Sequence, residues 1–359
     1  MTQTAATNGG DQLPTAYRLD EKARTACAET LPRCVFIEIT NRCNLACTAC
    51  VRTHRSLEPD RDMTFDEFVA LVAQFPNLER ALLHGIGEPL LHPRLPDMVR
   101  HLKDRGVTVL FNSNGTLLAP RLQEALVRSG LDEFRLSLDA AEPDLYERMH
   151  GRPFFDRVVE NVQCLVAAKR RHGGDAPRVS VWCTATRENV EQLPLLVSLA
   201  ARIGVPEVYV QRLVYFLDSL DQCDAELASM ALFGQVQAHE RAIIAECERL
   251  SEALGIAFRA SGATDPSHSL TAAQRVEARP WADCRRPWTT AYITANGNAL
   301  PCCMAPFASV DYESLLMGNI WEAGFSAIWK SEKYRAWRRA LLSANPPVPC
   351  SGCGVRWSL

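Results

Sequence analysis

Short apolar runs alternate with amphipathic stretches along most of this chain. Cys34-Val-Phe-Ile-Glu-Ile-Thr40 opens the series as an extended run, and Ala81 to His84, Val107 to Phe111, Glu133 to Leu138, Val179 to Thr184 and Val208 to Val214 follow as strands. Between them the apolar positions recur with helical spacing. Thr64 with Glu67 forms a capping box that opens a helix running to about Phe75. Further helices are expected from Pro96 to Arg105, near Arg121 to Ser129, from Asp156 to Arg171, from Glu191 to Ile203 and from about Met230 to Leu254. Strand–helix units in succession predict a parallel α/β sheet with right-handed crossovers. Six units are too few for a closed eightfold barrel. The pattern therefore predicts an open (β/α)6 partial TIM barrel over residues 31–260, behind a flexible lead over 1–30. In parallel barrels ligands sit at the carboxyl ends of the strands.

Beyond a polar linker over 261–282, residues 283–359 form a small C-terminal domain of hairpin and helix. Asn296-Gly297 between the extended runs Tyr292-Ile-Thr and Ala-Leu-Pro-Cys302-Cys303 is a strong hairpin turn. A Trp-rich helix follows from about Ile328 to Leu342.

With 47% hydrophobic and 23% charged residues, the 359-residue chain has material for an ordinary globular core. A net charge of −3 favours neither nucleic acid nor an anionic membrane as main partner. The start, MTQTAATNGGDQ, lacks the basic and apolar regions of a signal peptide, and the apolar stretch Leu193 to Val205 is broken by Arg202. Fourteen cysteines without a secretion signal point to a reducing cytoplasm and to metal ligation rather than disulfides.

Three of those cysteines, Cys43, Cys47 and Cys50, follow the first strand with C-x3-C-x2-C spacing. Three thiolates hold three irons of a cubane cluster and leave one iron open. A structural zinc site wants a fourth ligand close by, yet no Cys follows until Cys164, and the nearest His, His54, lies beyond Arg52 and Thr53. Near the C-terminus, Cys284, Cys302 or Cys303, Cys350 and Cys353 supply four thiols, enough to close a second cluster or a zinc site. Neighbouring strand residues face opposite sides, so one of Cys302 and Cys303 ligates.

The cysteine spacing, followed one strand–helix unit later by Gly85-Ile-Gly-Glu-Pro89, resembles the radical S-adenosylmethionine (radical SAM) superfamily from about Cys34 to the C-terminus. The resemblance implies the same open barrel, a [4Fe–4S] cluster on Cys43, Cys47 and Cys50, and S-adenosylmethionine on its open iron. It further implies that Gly85 and Gly87 admit the methionine moiety and that Glu88 accepts its ammonium. The C-terminal part resembles the SPASM or twitch auxiliary-cluster domain. No cysteine follows Cys353, which implies a single auxiliary [4Fe–4S] cluster on Cys284, Cys302, Cys350 and Cys353. By the same resemblance, a flavodoxin- or ferredoxin-type donor reduces the first cluster, S-adenosylmethionine is cleaved to a 5′-deoxyadenosyl radical, and that radical takes hydrogen from a substrate. The auxiliary cluster would accept the leftover electron, making the reaction an oxidation. One departure is Ala49, where the family carries an aromatic residue against the adenine.

Asn114, Ser137 and Asp139 end the third and fourth strands and are further candidates for the cofactor. Arg212, amid apolar neighbours on the sixth strand, is expected to point into the barrel toward substrate or cofactor, and Cys183 and Cys223 are candidate hydrogen donors. Relatives with one auxiliary cluster suggest dehydrogenation or epimerisation of an aminocyclitol or sugar-like small molecule. The alternative is a maturase of a ribosomally made peptide, against which the short N-terminal lead counts. From another class, a non-catalytic iron–sulfur carrier or sensor has no use for an open iron.

Overall fold

The computed structural model describes residues 15–213, 227–232, 237–260, 281–308, 311–351 and 353. Its strands are β1 (Cys34–Ile37), β2 (Arg80–Leu82), β3 (Thr108–Ser113), β4 (Glu133–Ser137), β5 (Arg178–Ala185), β6 (Glu207–Arg212), β7 (Ala257–Ala260), β8 (Thr290–Ile293), β9 (Asn298–Leu300) and β10 (Gly318–Asn319). All join one open sheet in the order β10-β9-β8-β1-β2-β3-β4-β5-β6-β7. Every pair from β8 across β1 to β7 is parallel, and only β9 and β10 run antiparallel to their neighbours.

The six expected strands are all present, and the predicted open barrel is found. Two features differ from the sequence reading. A seventh parallel strand, β7, occupies the segment before the linker and pairs with β6 through Glu207↔Ala257 to Val210↔Ala260. The C-terminal hairpin does not stand apart either: β8 lies beside β1, with Cys34 opposite Thr290 and Ile37 opposite Ile293. Both segments of the chain therefore share one hydrogen-bonded sheet.

The helices form where local chemistry demands. At Phe65–Val72 the Thr64 hydroxyl accepts from Glu67 N, and the Glu67 carboxylate accepts from Thr64 N at 2.8 Å, so two orphan amides of the first turn are satisfied. Proline at the first position, where no intrahelical N–H is needed, starts Pro120–Arg128 and Pro143–His150. The last of these was not anticipated. The expected Trp-rich helix is two, Phe325–Trp329 and Glu332–Leu342, because the Ser331 hydroxyl caps a new start at Tyr334 N.

The period of two along each strand separates two environments. On β5, Val179, Val181, Cys183 and Ala185 are buried in the main core against the helices. The concave face holds a smaller cluster of Ala16, Cys34, Leu82 and Leu110, with Tyr17 and Phe36 against it. Tyr17 belongs to the lead, so from Thr15 onward that segment is packed rather than flexible: Trp288 Nε1 donates to Thr25 O at 2.7 Å and Trp329 Nε1 to Thr30 O at 2.9 Å.

Candidate cluster and cofactor site

The cysteine loop leaves the end of β1 and is shaped by its own polar residues. Asn41 Nδ2 donates to Pro59 O at 2.8 Å, Arg61 N donates to Asn41 Oδ1 at 2.7 Å, and Arg52 Nε donates to Asn41 O at 2.8 Å. Cys50 N donates to Cys47 O at 3.1 Å, which keeps the last two cysteines in one turn. Burial pushes all three thiols up, and they are electrostatic neighbours: Cys47 feels both Cys50 and Cys43, and Cys43 feels Cys50. Among the described residues no three His, Cys, Asp or Glu side chains converge as a single-ion site requires. Three soft sulfur donors are the ligand type that holds iron–sulfur clusters.

The Gly85–Pro89 turn is packed directly on this loop. A Cβ on Gly87 would stand 2.7 Å from Arg42 O and 2.8 Å from Asn41 C, closer still to Thr40 O, and Glu88 N donates to Arg42 O at 2.8 Å. Gly85 leaves room for the buried carboxyl of Glu38 and the hydroxyl of Tyr292, which hydrogen-bond each other at 2.6 Å. Glu38 also accepts from Ile86 N at 3.0 Å and from Ala295 N at 3.2 Å, so it joins β1, the glycine turn and the hairpin.

Glu88 is already engaged by the chain itself. Its buried carboxylate already receives Leu90 N at 2.9 Å, Ser113 Oγ at 2.7 Å and Asn114 N at 2.8 Å. Burial outweighs these donors and pushes its pKa up to about 7. It ties the glycine turn to the end of β3. Asn114 extends that tie, donating to Asn44 Oδ1 at 3.0 Å, while Asn44 Nδ2 donates to Thr116 Oγ1 at 2.8 Å and Thr116 Oγ1 donates to Asn114 Oδ1 at 2.7 Å. Asn44 lies between the first two cysteines, so the β3 turn holds the cysteine loop by side-chain amides.

Asp139, just beyond β4, accepts from Thr184 N at 2.7 Å and is raised by burial; it neighbours Cys47 electrostatically. Ser137 ends β4, half-buried. The strand phase corrects two other expectations. On β6, Tyr209 stacks on Trp182 with centroids 3.9 Å apart and Gln211 donates to Thr184 Oγ1 at 3.1 Å, which puts Tyr209 and Gln211 on the concave face with Trp182 and Thr184. Arg212 alternates to the other face, with Val208 and Val210, and is buried there. Cys183 likewise faces the helices, fully buried, with Asn189 Nδ2 at 3.6 Å and Cys247 as an electrostatic neighbour. Its sulfur also hydrogen-bonds the Asp139 carboxyl. Cys223 lies outside the described residues.

Deeper on the concave face, Arg135 lies 4.1 Å over Trp182 and donates twice to Glu133, at 2.7 and 3.0 Å. His84 accepts from Asn112 N at 3.3 Å and is held neutral, its pKa pushed down to about 3 by burial and by Arg135.

The C-terminal cysteines Cys284, Cys302, Cys350 and Cys353 line one pocket among apolar side chains such as Trp337 and Leu341. Cys303 does not line it; it turns to Arg286, with Tyr17 and Cys34 as further electrostatic neighbours. These four thiols are the expected second ligand set, and Cys302 rather than Cys303 lies among them. Arg286 lines the same cavity. Burial opposes its charge, but Cys303, Cys284, Cys302 and Cys353 raise its pKa, so a fixed cation faces the thiolates.

A model of the radical SAM superfamily matches residues 37–177, and one of the SPASM iron–sulfur cluster-binding domain matches 284–354. The chain belongs to the radical SAM superfamily. Membership brings a [4Fe–4S] cluster and S-adenosylmethionine to the first site, and the SPASM domain brings auxiliary iron–sulfur ligation to the second. Over 183 residues the radical SAM chain is 33% identical to the tungsten-containing aldehyde ferredoxin oxidoreductase cofactor-modifying protein of Pyrococcus furiosus, covering 50% of this chain and 51% of that one. It is 26% identical to the PqqA peptide cyclase of Streptomyces rochei over 325 residues, 89% of this chain and 81% of the cyclase. It spans about half the length of two of the curated relatives it matches. The fold is shared with Streptococcus suis SuiB, solved bound to S-adenosylmethionine: TM-score 0.63 at 18% identity, covering 91% of this chain and 72% of SuiB. No helix among the described residues of the radical SAM chain is long and apolar enough to cross a membrane.

Sequence reasoning missed Glu38, Tyr292, Asn44, His150 and Arg286. Only Glu38 carried a signal, a charge inside an apolar strand run; the others act through contacts between distant segments.

Proposed function

We propose that this radical SAM chain is a maturase that oxidatively modifies a ribosomally made peptide. The observation that carries the reading is the similarity to a peptide cyclase along nearly the whole of both chains, 89% of this one and 81% of the cyclase. A small sugar-like substrate, the first expectation from the sequence, has no comparable support and gives way to the peptide.

When bound, S-adenosylmethionine and the cluster supply hydrogen-atom abstraction, and the auxiliary cluster supplies an electron acceptor. The chain's own residues do the rest. Cys43, Cys47 and Cys50 hold the first cluster; the Asn44–Asn114–Thr116 amide and hydroxyl links and the Glu88 carboxylate fix the loop that carries them. Trp182, Tyr209, Phe36 and Tyr292 give the concave face an aromatic lining that excludes water from a reactive site. Tyr209 and Gln211 stand where substrate would meet β6, with Gln211 as an amide able to bond a peptide backbone. Cys284, Cys302, Cys350 and Cys353 hold the second cluster, with Arg286 offsetting its negative charge.

The test is turnover by the anaerobically reconstituted protein with dithionite, S-adenosylmethionine and synthetic peptides encoded beside its gene. Formation of 5′-deoxyadenosine together with a peptide lighter by a pair of hydrogens supports the proposal. Turnover of aminocyclitols or sugars with every peptide left unchanged overturns it.

A further inference from the structure

The helix Pro143–His150 ends on the cysteine loop. Thr48 N donates to Met149 O at 2.9 Å, taking up a carbonyl that the helix end leaves without an intrahelical donor. Gly151 follows in the left-handed region at φ +73°, and even a Cβ there would stand only 3.2 Å from Ala46 O. This seating brings the buried His150 to Cys47, with Nδ1 at 3.3 Å from the sulfur.

Two further side chains flank the imidazole. Tyr146, one helical turn earlier, stacks on it with ring centroids 4.3 Å apart and planes at 26°. Nε2 faces Asp139 Oδ2 at 3.8 Å, and Asp139 is itself pinned by Thr184 N at 2.7 Å. The other two cysteines meet backbone amides of their own loop, Cys43 that of Leu45 and Cys50 those of Arg52 and Thr53. Among the described residues, Cys47 alone of the three has a side-chain nitrogen from another element aimed at its sulfur.

Resting on the assignment of Cys43, Cys47 and Cys50 as cluster ligands, we propose that His150 is a positioning residue that donates a hydrogen bond from Nδ1 to the Cys47 sulfur and thereby raises the cluster's reduction potential. A donor on a ligating sulfur stabilises the more negative, reduced cluster, and groups behind the ligands set such potentials as the ligands do. The stack on Tyr146 keeps the ring against the sulfur.

The experiment is an anaerobic potentiometric titration of the reconstituted holoprotein, followed by electron paramagnetic resonance. His150→Phe keeps a ring to stack on Tyr146 and removes the donor. It is expected to load iron as the native protein does and to show about tenfold less reduced cluster at a given potential, about 59 mV for one electron. His150→Asn, which returns an N–H near the Nδ1 position, is expected to recover most of that shift. A fully loaded His150→Phe protein with the native midpoint overturns the proposal. Should that variant fail to load, the native protein labelled with 15N-histidine decides. Hyperfine spectra of its reduced first cluster are expected to show one weakly coupled imidazole nitrogen; none, or one coupled strongly enough to be an iron ligand, overturns the role. A native protein that forms no reducible three-cysteine cluster at all would instead sink the ligand assignment.

Discussion

Replacing Gly87 by alanine tests the close approach on which the first site depends. The added methyl would meet backbone atoms rather than flexible side-chain ends: Arg42 O at 2.7 Å, Asn41 C at 2.8 Å, and Thr40 O closer still. Restoring an ordinary contact of 3.4 Å at Arg42 O moves the loop by about 0.7 Å, and Glu88 N loses its 2.8 Å bond to the same oxygen. Overpacking of this kind costs about 1–3 kcal/mol of stability. The larger effect is on geometry, because a misplacement of about 1 Å at a reacting centre can cost on the order of 100-fold in rate. The expected result is a Gly87→Ala protein that folds with a lowered midpoint, binds iron and cleaves S-adenosylmethionine at least tenfold more slowly. The assay is chromatographic measurement of 5′-deoxyadenosine under dithionite. Gly106→Ala is the control: its φ of +74° makes alanine costly, but no atom lies within 4 Å of the new Cβ. It should lose about 1–2 kcal/mol and keep the native rate. Native cleavage by Gly87→Ala, or equal losses in the two variants, refutes the reasoning.

Further outcomes are expected. Glu88, raised by burial to about 7 from 4.5, makes folding less favourable as pH climbs through that window, since the unfolded chain gives up the proton first. For the metal-free protein its contribution falls by about 3 kcal/mol between pH 4.5 and 7, so the denaturation midpoint of the native chain relative to Glu88→Gln should decline from pH 5 to pH 7.5; a constant difference refutes the assignment. Cys302→Ser should cut the reconstituted iron from about eight to about four per chain, whereas Cys303→Ser should leave it unchanged; the reverse would exchange their roles. Arg135→Met strands the partly buried Glu133 with Arg80 at 3.6 Å as remaining partner, and should cost about 3 kcal/mol, the low end for breaking a buried pair, as read by urea denaturation.

What was legible in the sequence was what is local. Strand runs, helix periods and the Thr64–Glu67 box are each decided within a dozen residues, and the cysteine and glycine motifs carry the family resemblance in short local segments. What was not legible depends on partners far along the chain. The Ala257–Ala260 strand is too short to show a period, and only pairing with β6 makes it one. The hairpin's place beside Cys34 is a contact across more than 250 residues, with no local trace. Arg212 was misread by one position: its charge suggested a ligand, but alternation gives the concave face to Gln211. Glu88 illustrates the other limit, since a carboxylate reads as an open acceptor until the donors around it are known.

The seating of β8 against β1 makes the C-terminal third a chaperoning flank for the strand that carries the cysteine loop. Cut the chain before it, and β1 becomes an exposed sheet margin whose amides and carbonyls, Glu38 N among them with its 2.9 Å bond to Ile293 O, invite association with other molecules. The sheet around the cysteine loop is therefore closed only by the hairpin, well past the last strand that belongs to the barrel by sequence.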